Sequence, residues 1–252
     1  ASKPDRAMIA AMNSPRSLRV VAFLVLPLCA VGLPAAEAAD PSAPAPAALQ
    51  EAGLTSAQLL AGLKSGFGAM IDGAADEMTK PGAVDVAPPS SMKKLEAALQ
   101  RMNQSGALDS FKATLNQAAV SVAPQTTAAL KAAVGPLTLN DASAVLRGEP
   151  DSATQLLRTS TESAVRTQLL PLMSQALATN GTAAQLKALV SKAGPMASML
   201  GAPSMADLET SLVSQLLDTC FGYLSKQEAA LRADPSALKN ADAKKVFGLA
   251  QK

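Results

Sequence analysis

The chain has 252 residues, 48% of them hydrophobic and 17% charged, a globular balance too apolar for a disordered chain. Histidine is absent and aromatics make up only 2%, which excludes Ser-His-Asp and Cys-His nucleophilic sites and the usual histidine-bearing zinc and di-iron helical centres. Of 22 basic and 20 acidic side chains, four and two respectively fall in residues 1–38, so the later chain holds eighteen of each sign and offers no general field for nucleic acid or anionic lipid.

Met12 opens a stretch with the parts of a secretion signal. Arg16 and Arg19 form the positive start, Val20 to Leu33 the apolar centre, and Ala36-Glu37-Ala38 a small-x-small cleavage site before Ala39. The apolar run, broken by Pro27 and Gly32, falls short of the roughly 20 residues that a membrane-spanning helix needs. The expectation is therefore a leader in residues 1–38, cleaved after Ala38, with a periplasmic product and no transmembrane segment after cleavage. Cys29 follows Leu28, which lacks the small residue that lipoprotein processing prefers just before an acylated cysteine. Residues 39–54 begin ADPSAPAPAALQ, a Pro/Ala-rich tether, and residues 55–252 are expected to form a single all-α domain.

Within that domain the first helix is expected from Thr55 or Ser56, with Leu59, Leu60, Leu63, Phe67, Met70 and Ile71 on one face. Gly62, Gly66 and Gly68 interrupt it and mark close packing against a neighbour, since each costs about 1 kcal/mol of helix propensity. Lys80-Pro81-Gly82 and Pro88-Pro89 frame a loop. A second helix is expected from Ser91 to near Gly106. A third, through Leu108, Phe111, Leu115 and Val122, ends at Pro124, and Pro124 opens a fourth that stops at Gly135-Pro136. Thr138-Leu139-Asn140-Asp141 is a capping box for a fifth, which ends at Gly148. A long helix then runs from Asp151 to Asn180-Gly181, with Pro171 expected to kink or break it. A shorter helix around Leu186, Leu189 and Val190 stops at Gly194-Pro195. Ser204-Met205-Ala206-Asp207 caps a long amphipathic helix carrying Leu208, Leu212, Leu216, Cys220 and Leu224, closed by Pro235, and a last segment holds Val246 and Phe247. The whole predicts a compact all-α bundle of about seven to nine helices.

The order of short motifs resembles an uncharacterised bacterial family, the domain of unknown function 4197, over roughly residues 55–248. Leu115-Asn116-Gln117-Ala118-Ala119 with Ala123-Pro124 is similar to one block. Asp141-Ala142, Leu146-Arg147-Gly148, Ala153-Thr154, Arg158 and Thr161 are similar to a central one, followed by Leu170-Pro171. Glu228, Leu231-Arg232, Pro235 and Lys244-Lys245-Val246-Phe247-Gly248 are similar to the closing block. The chain departs from the family pattern at Leu217-Asp218-Thr219-Cys220-Phe221 and at Leu156-Leu157. The resemblance implies export and a helical structure and implies no activity.

The polar set that most suggests a ligand is Thr154, Arg158 and Thr161, which spacings of four and three place on one helix face. An arginine between two hydroxyls holds a carboxylate or phosphate. The opposing reading has Arg158 tie its helix to a carboxylate such as Asp141 while the threonines bond carbonyls. Glu228 and Arg232, four apart, read as an exposed ion pair worth a few tenths of a kcal/mol, and Cys220 as a buried, inert thiol. The methionines read as core filler or as an adaptable apolar groove. No cofactor or metal is expected. These features favour a non-enzymatic envelope protein that binds a partner. The alternatives are a carrier of an apolar small molecule or lipid in a helical cavity, and thirdly a histidine-independent hydrolase.

Overall fold

A computed structural model describes residues 53–138 and 151–249. The leader, Cys29, almost all of the tether, Asp141 and the helix expected after Thr138 lie outside the described residues. Among those described, seven α-helices and no strand are found, as an all-α bundle requires. They are α1 (Ser56–Met78), α2 (Lys93–Arg101), α3 (Ser105–Val134), α4 (Ser152–Thr179), α5 (Thr182–Ala193), α6 (Met205–Ala233) and α7 (Ala241–Leu249).

Two helix starts follow local chemistry alone. The Thr55 hydroxyl accepts from the Gln58 N–H at 3.2 Å, and the Gln58 side chain accepts from the Thr55 N–H at 3.0 Å. Ser204 and Asp207 form the same reciprocal box at α6, satisfying backbone donors that have no partner within the helix. The Ser204 backbone N–H, and then its hydroxyl, hold the Asp207 carboxyl below its ordinary range.

Helix α1 packs against α3, α6 and α7, and α4 lies between α3 and α6, so α1, α3, α4 and α6 close a ring around the core. Leu59, Leu63, Phe67, Met70 and Ile71 of α1 are all fully buried, matching the spacing read from the sequence. On α6 a row of fours, Leu208, Leu212, Leu216, Cys220 and Leu224, is equally buried, and each large apolar side chain contributes about 1.5–3 kcal/mol. Two of the three α1 glycines permit a close approach by α7. A Cβ at Gly62 would stand 2.8 Å from the Asp242 backbone, and one at Gly66 would overlap the Phe247 ring. Gly68 faces open space, so close packing does not account for it.

Two boundaries differ from expectation. Helix α3 runs through Pro124 as one helix, while α4 spans Ser152–Thr179 with Pro171 inside it and is not broken there. A mid-helix proline removes one N–H and leaves the carbonyl four residues earlier without its partner. Here those carbonyls belong to Val120 and Thr167, and like both prolines these residues are solvent-exposed, where a carbonyl without its helical donor costs least. The second helix ends at Arg101, because Asn103 adopts a left-handed φ of 56°, and Gly106 belongs to the first turn of α3. After α5, a strap over 194–201 passes back beside α2. Gly201 has a φ of 82°, and a Cβ there would overlap the Ser91 carbonyl oxygen.

Candidate functional site

The polar residues singled out in α4 diverge. The Thr161 hydroxyl donates back to the Leu157 carbonyl at 2.6 Å. The Thr154 hydroxyl donates at 2.7 Å to Glu228 of α6. Arg158 reaches outward. Its Nε donates to Glu162 at 2.9 Å, a second nitrogen pairs with Asp218 of α6, and its guanidinium lies 5.2 Å from the centre of the Phe221 ring. Thr154 and Arg158 line a shallow groove of about 510 Å³ with Asp151, Asp218 and Phe221, and Thr161 does not. The guanidinium is held above its ordinary range first by its bond to Asp218 and then by that to Glu162. An anion entering the groove therefore meets a cation already matched by two carboxylates. The tie between helices made by Arg158 goes to Asp218, while Asp141 lies outside the described residues.

The reading of Glu228 and Arg232 as an exposed pair is overturned. Glu228 is 0% exposed and Arg232 6%. The row of fours on α6 continues from Leu224 to these two residues, which puts them on the buried face. The Glu228 carboxylate accepts the Ala153 N–H at 3.0 Å, the Thr154 N–H at 2.7 Å and the Thr154 hydroxyl. It thereby caps the start of α4 from another helix, where the helix dipole favours an anion. Arg232 binds the same carboxylate at 2.7 Å, donates to the Ser152 hydroxyl at 3.0 Å and lies over the Phe247 ring. Residues that carry the central and closing family blocks thus meet in one buried latch. Its chemistry is structural, because every carboxylate contact is internal.

Cys220 is buried on the apolar row, and burial pushes its thiol from 9.0 to about 12, so it is no nucleophile near neutral pH. A thiol-specific reagent at pH 8 is expected to leave Cys220 unmodified in the folded protein and to label it once urea unfolds the chain. Labelling at equal rates in both states would contradict its burial. The sign of the pH effect follows: the unfolded thiol ionises first, so stability falls as pH rises from about 9 toward 12. Among the described residues, no group of three or more Cys, Asp or Glu is placed to hold a metal ion, and no helix is long and apolar enough to cross a membrane.

Sequence reasoning missed two surface features. The first is a cleft of about 390 Å³ between the end of α1, the loop after it and the middle of α3, with Met78, Val84, Val120, Ala123 and Pro124 in its walls. Amide side chains clamp the loop that forms one wall. Asn116 accepts from the Val86 N–H at 2.8 Å and donates to the Val86 carbonyl at 3.3 Å. Gln215 does the same to Ala87 at 2.8 and 2.9 Å, and the Tyr223 hydroxyl donates to the Ala83 carbonyl at 3.1 Å. The second feature is the outer face of α3 and α4. No charged residue occurs between Lys112 and Lys131 or between Arg166 and Lys187. The bordering charges turn aside: Lys131 to Asp72, Lys112 to Glu96, and Arg166 to Glu162 and Ser214. The absence of charge is visible in the sequence, but the pairing of the two stretches needs the fold. Among the methionines, Met70, Met92 and Met173 fill the core, while Met102, Met196 and Met199 are exposed.

In comparison with known proteins, a family model described as "Protein of unknown function (DUF4197)" matches residues 53–248. No curated protein and no solved structure matches the chain.

Proposed function

Because the chain belongs to the family described as Protein of unknown function (DUF4197), a membership that assigns no chemistry, we propose from its surfaces that it is an exported, non-enzymatic binding module of the cell envelope that docks a protein partner on the α3–α4 face. The observation that carries this reading is the uncharged outer surface between these two helices, where Leu172 is 36% exposed and Gln125, Ala128 and Gln175 beside it are exposed too. Depletion of charge with retained apolar and amide groups is the composition of an interface centre. The lack of histidine and the buried Cys220 thiol support a role other than nucleophilic catalysis. Export rests on the leader-like residues 12–38.

Affinity capture from envelope extract tests the proposal. The unaltered chain and Ala229→Glu, a change on the exposed side of α6, are expected to recover the same partner, and Ala128→Glu at least tenfold less. Equal recovery by all three would contradict docking on this face. Sequencing of the mature protein is expected to start at Ala39, and an uncleaved chain in the cytosol would contradict export.

A second reading is favoured by the apolar cleft beside α1. Its volume suits one small apolar ligand or acyl segment, and mass spectrometry of organic extracts of the purified protein tests it. A protein that emerges with no bound apolar molecule would rule that reading out.

A further inference from the structure

The partner on the α3–α4 face can be specified further, on the premise that this face is the docking surface. A groove runs between the two antiparallel helices. On α3 its rim is Ser121, Gln125, Ala128 and Ala132, and on α4 it is Gln168, Leu172, Gln175 and Thr179. Both rows are spaced four, three, four, and all eight residues are exposed. That spacing is the one with which helices interdigitate in four-helix bundles and left-handed coiled coils. The helix pair therefore presents one half of such a bundle outward, while its other side is already packed on α1 and α6.

Three observations identify the other half. First, Ser121, Gln125 and Thr179 turn their donors back onto their own helices. The Ser121 hydroxyl donates to the Ala118 carbonyl at 2.7 Å and the Thr179 hydroxyl to the Gln175 carbonyl at 2.9 Å. The Gln125 amide, with its nitrogen turned toward the helix, donates to the Ser121 and Val122 carbonyls at 3.0 Å. Covering these three donors costs little, whereas the exposed Gln168 and Gln175 amides of the same face need partners from whatever covers it, and an uncharged surface carrying amides of its own supplies them. Second, a charged partner surface would bury ions against a face with no countercharge, which is costly. The matching surface must itself be uncharged and ridged at the same spacing, and this chain carries such a surface. Third, the size suffices. The uncharged part of α3 is about 27 Å long at 1.5 Å per residue. Two neighbouring helices span about 20 Å. Together they cover about 1,000 Å² over two copies before side-chain relief, the level at which specific interfaces begin.

We infer that the occupant is a second copy of this chain, related by a two-fold axis, with α3 and α4 of each copy forming an intermolecular four-helix bundle.

Sedimentation velocity of the 252-residue chain at about 1 to 100 µM tests this. The unaltered chain and Ala229→Glu are expected to sediment as a dimer at the upper end. Gln125→Glu, nearly isosteric, and Ala128→Glu are expected to shift dissociation at least tenfold toward the monomer with unchanged helical circular dichroism. If Ala128→Glu fails to fold, Gln125→Glu decides alone. A monomeric unaltered chain at 100 µM would overturn self-pairing and leave docking of another protein to the capture experiment. A dimer that survives Gln125→Glu in folded form would also overturn it.

Discussion

Replacing Glu228 with alanine is expected to cost about 3–5 kcal/mol of folding stability, the usual consequence of breaking a buried ion pair from one side. The variant removes the acceptor of the Ala153 and Thr154 N–H groups and of the Thr154 hydroxyl, and it takes the Glu228 carboxylate away from an Arg232 guanidinium that is only 6% exposed. Most domains have only about 5–15 kcal/mol in hand, so the urea midpoint is expected to fall steeply at unchanged slope. Glu228→Gln keeps an acceptor and loses the charge, and its cost is expected near 1.5–3 kcal/mol, the range for a hydrogen bond to a charged group. Adding Arg232→Met to Glu228→Ala is expected to recover part of the loss, because the guanidinium then no longer has to be held inside without the Glu228 carboxylate. A Glu228→Ala loss below about 1 kcal/mol, typical of exposed pairs, would contradict the buried latch.

The contact between α1 and α7 carries the second large effect. Phe247 is 1% exposed and occupies the space left by the missing side chain of Gly66. Phe247→Ala is expected to cost about 3–5 kcal/mol, as large-to-small changes in cores do. Gly66→Ala alone forces the ring aside and is expected to cost about 1–3 kcal/mol as overpacking. In the Phe247→Ala background the clash is gone, and the same Gly66→Ala change is expected to be neutral or stabilising, since alanine exceeds glycine in helix propensity by about 1 kcal/mol. Thermal or urea unfolding of the four proteins gives the coupling energy directly. Strictly additive costs would show that Gly66 and Phe247 do not meet.

What was legible in the sequence was local. Thr55 and Ser204 announce helix starts because a capping oxygen acts within one turn. Leucines at spacings of three and four locate buried faces because the helix period is fixed. Pro124 misled as a helix boundary, because the cost of a lost N–H depends on whether the freed carbonyl can reach solvent, and exposure is a property of the fold. Thr154, Arg158 and Thr161 share a helix face as their spacing requires. Their side chains nonetheless part, since Glu228 draws Thr154 inward while Asp218 and Glu162 draw Arg158 outward. The row from Leu208 to Arg232 in steps of four did contain the signal that Glu228 and Arg232 are buried; the favourable local pair obscured it. The uncharged face needed the antiparallel pairing of α3 with α4, which brings together two uncharged stretches that stand far apart in the chain.

On the proposed reading, this protein meets its partner at the uncharged face of α3 and α4. The most direct measurement is photo-crosslinking in living cells from a single reactive residue placed at Leu172, with the same residue at Ala229 as reference. Discrete adducts from position 172 and none from position 229 are the predicted result. Adducts from position 229 alone, or none from position 172 at native abundance, would contradict it.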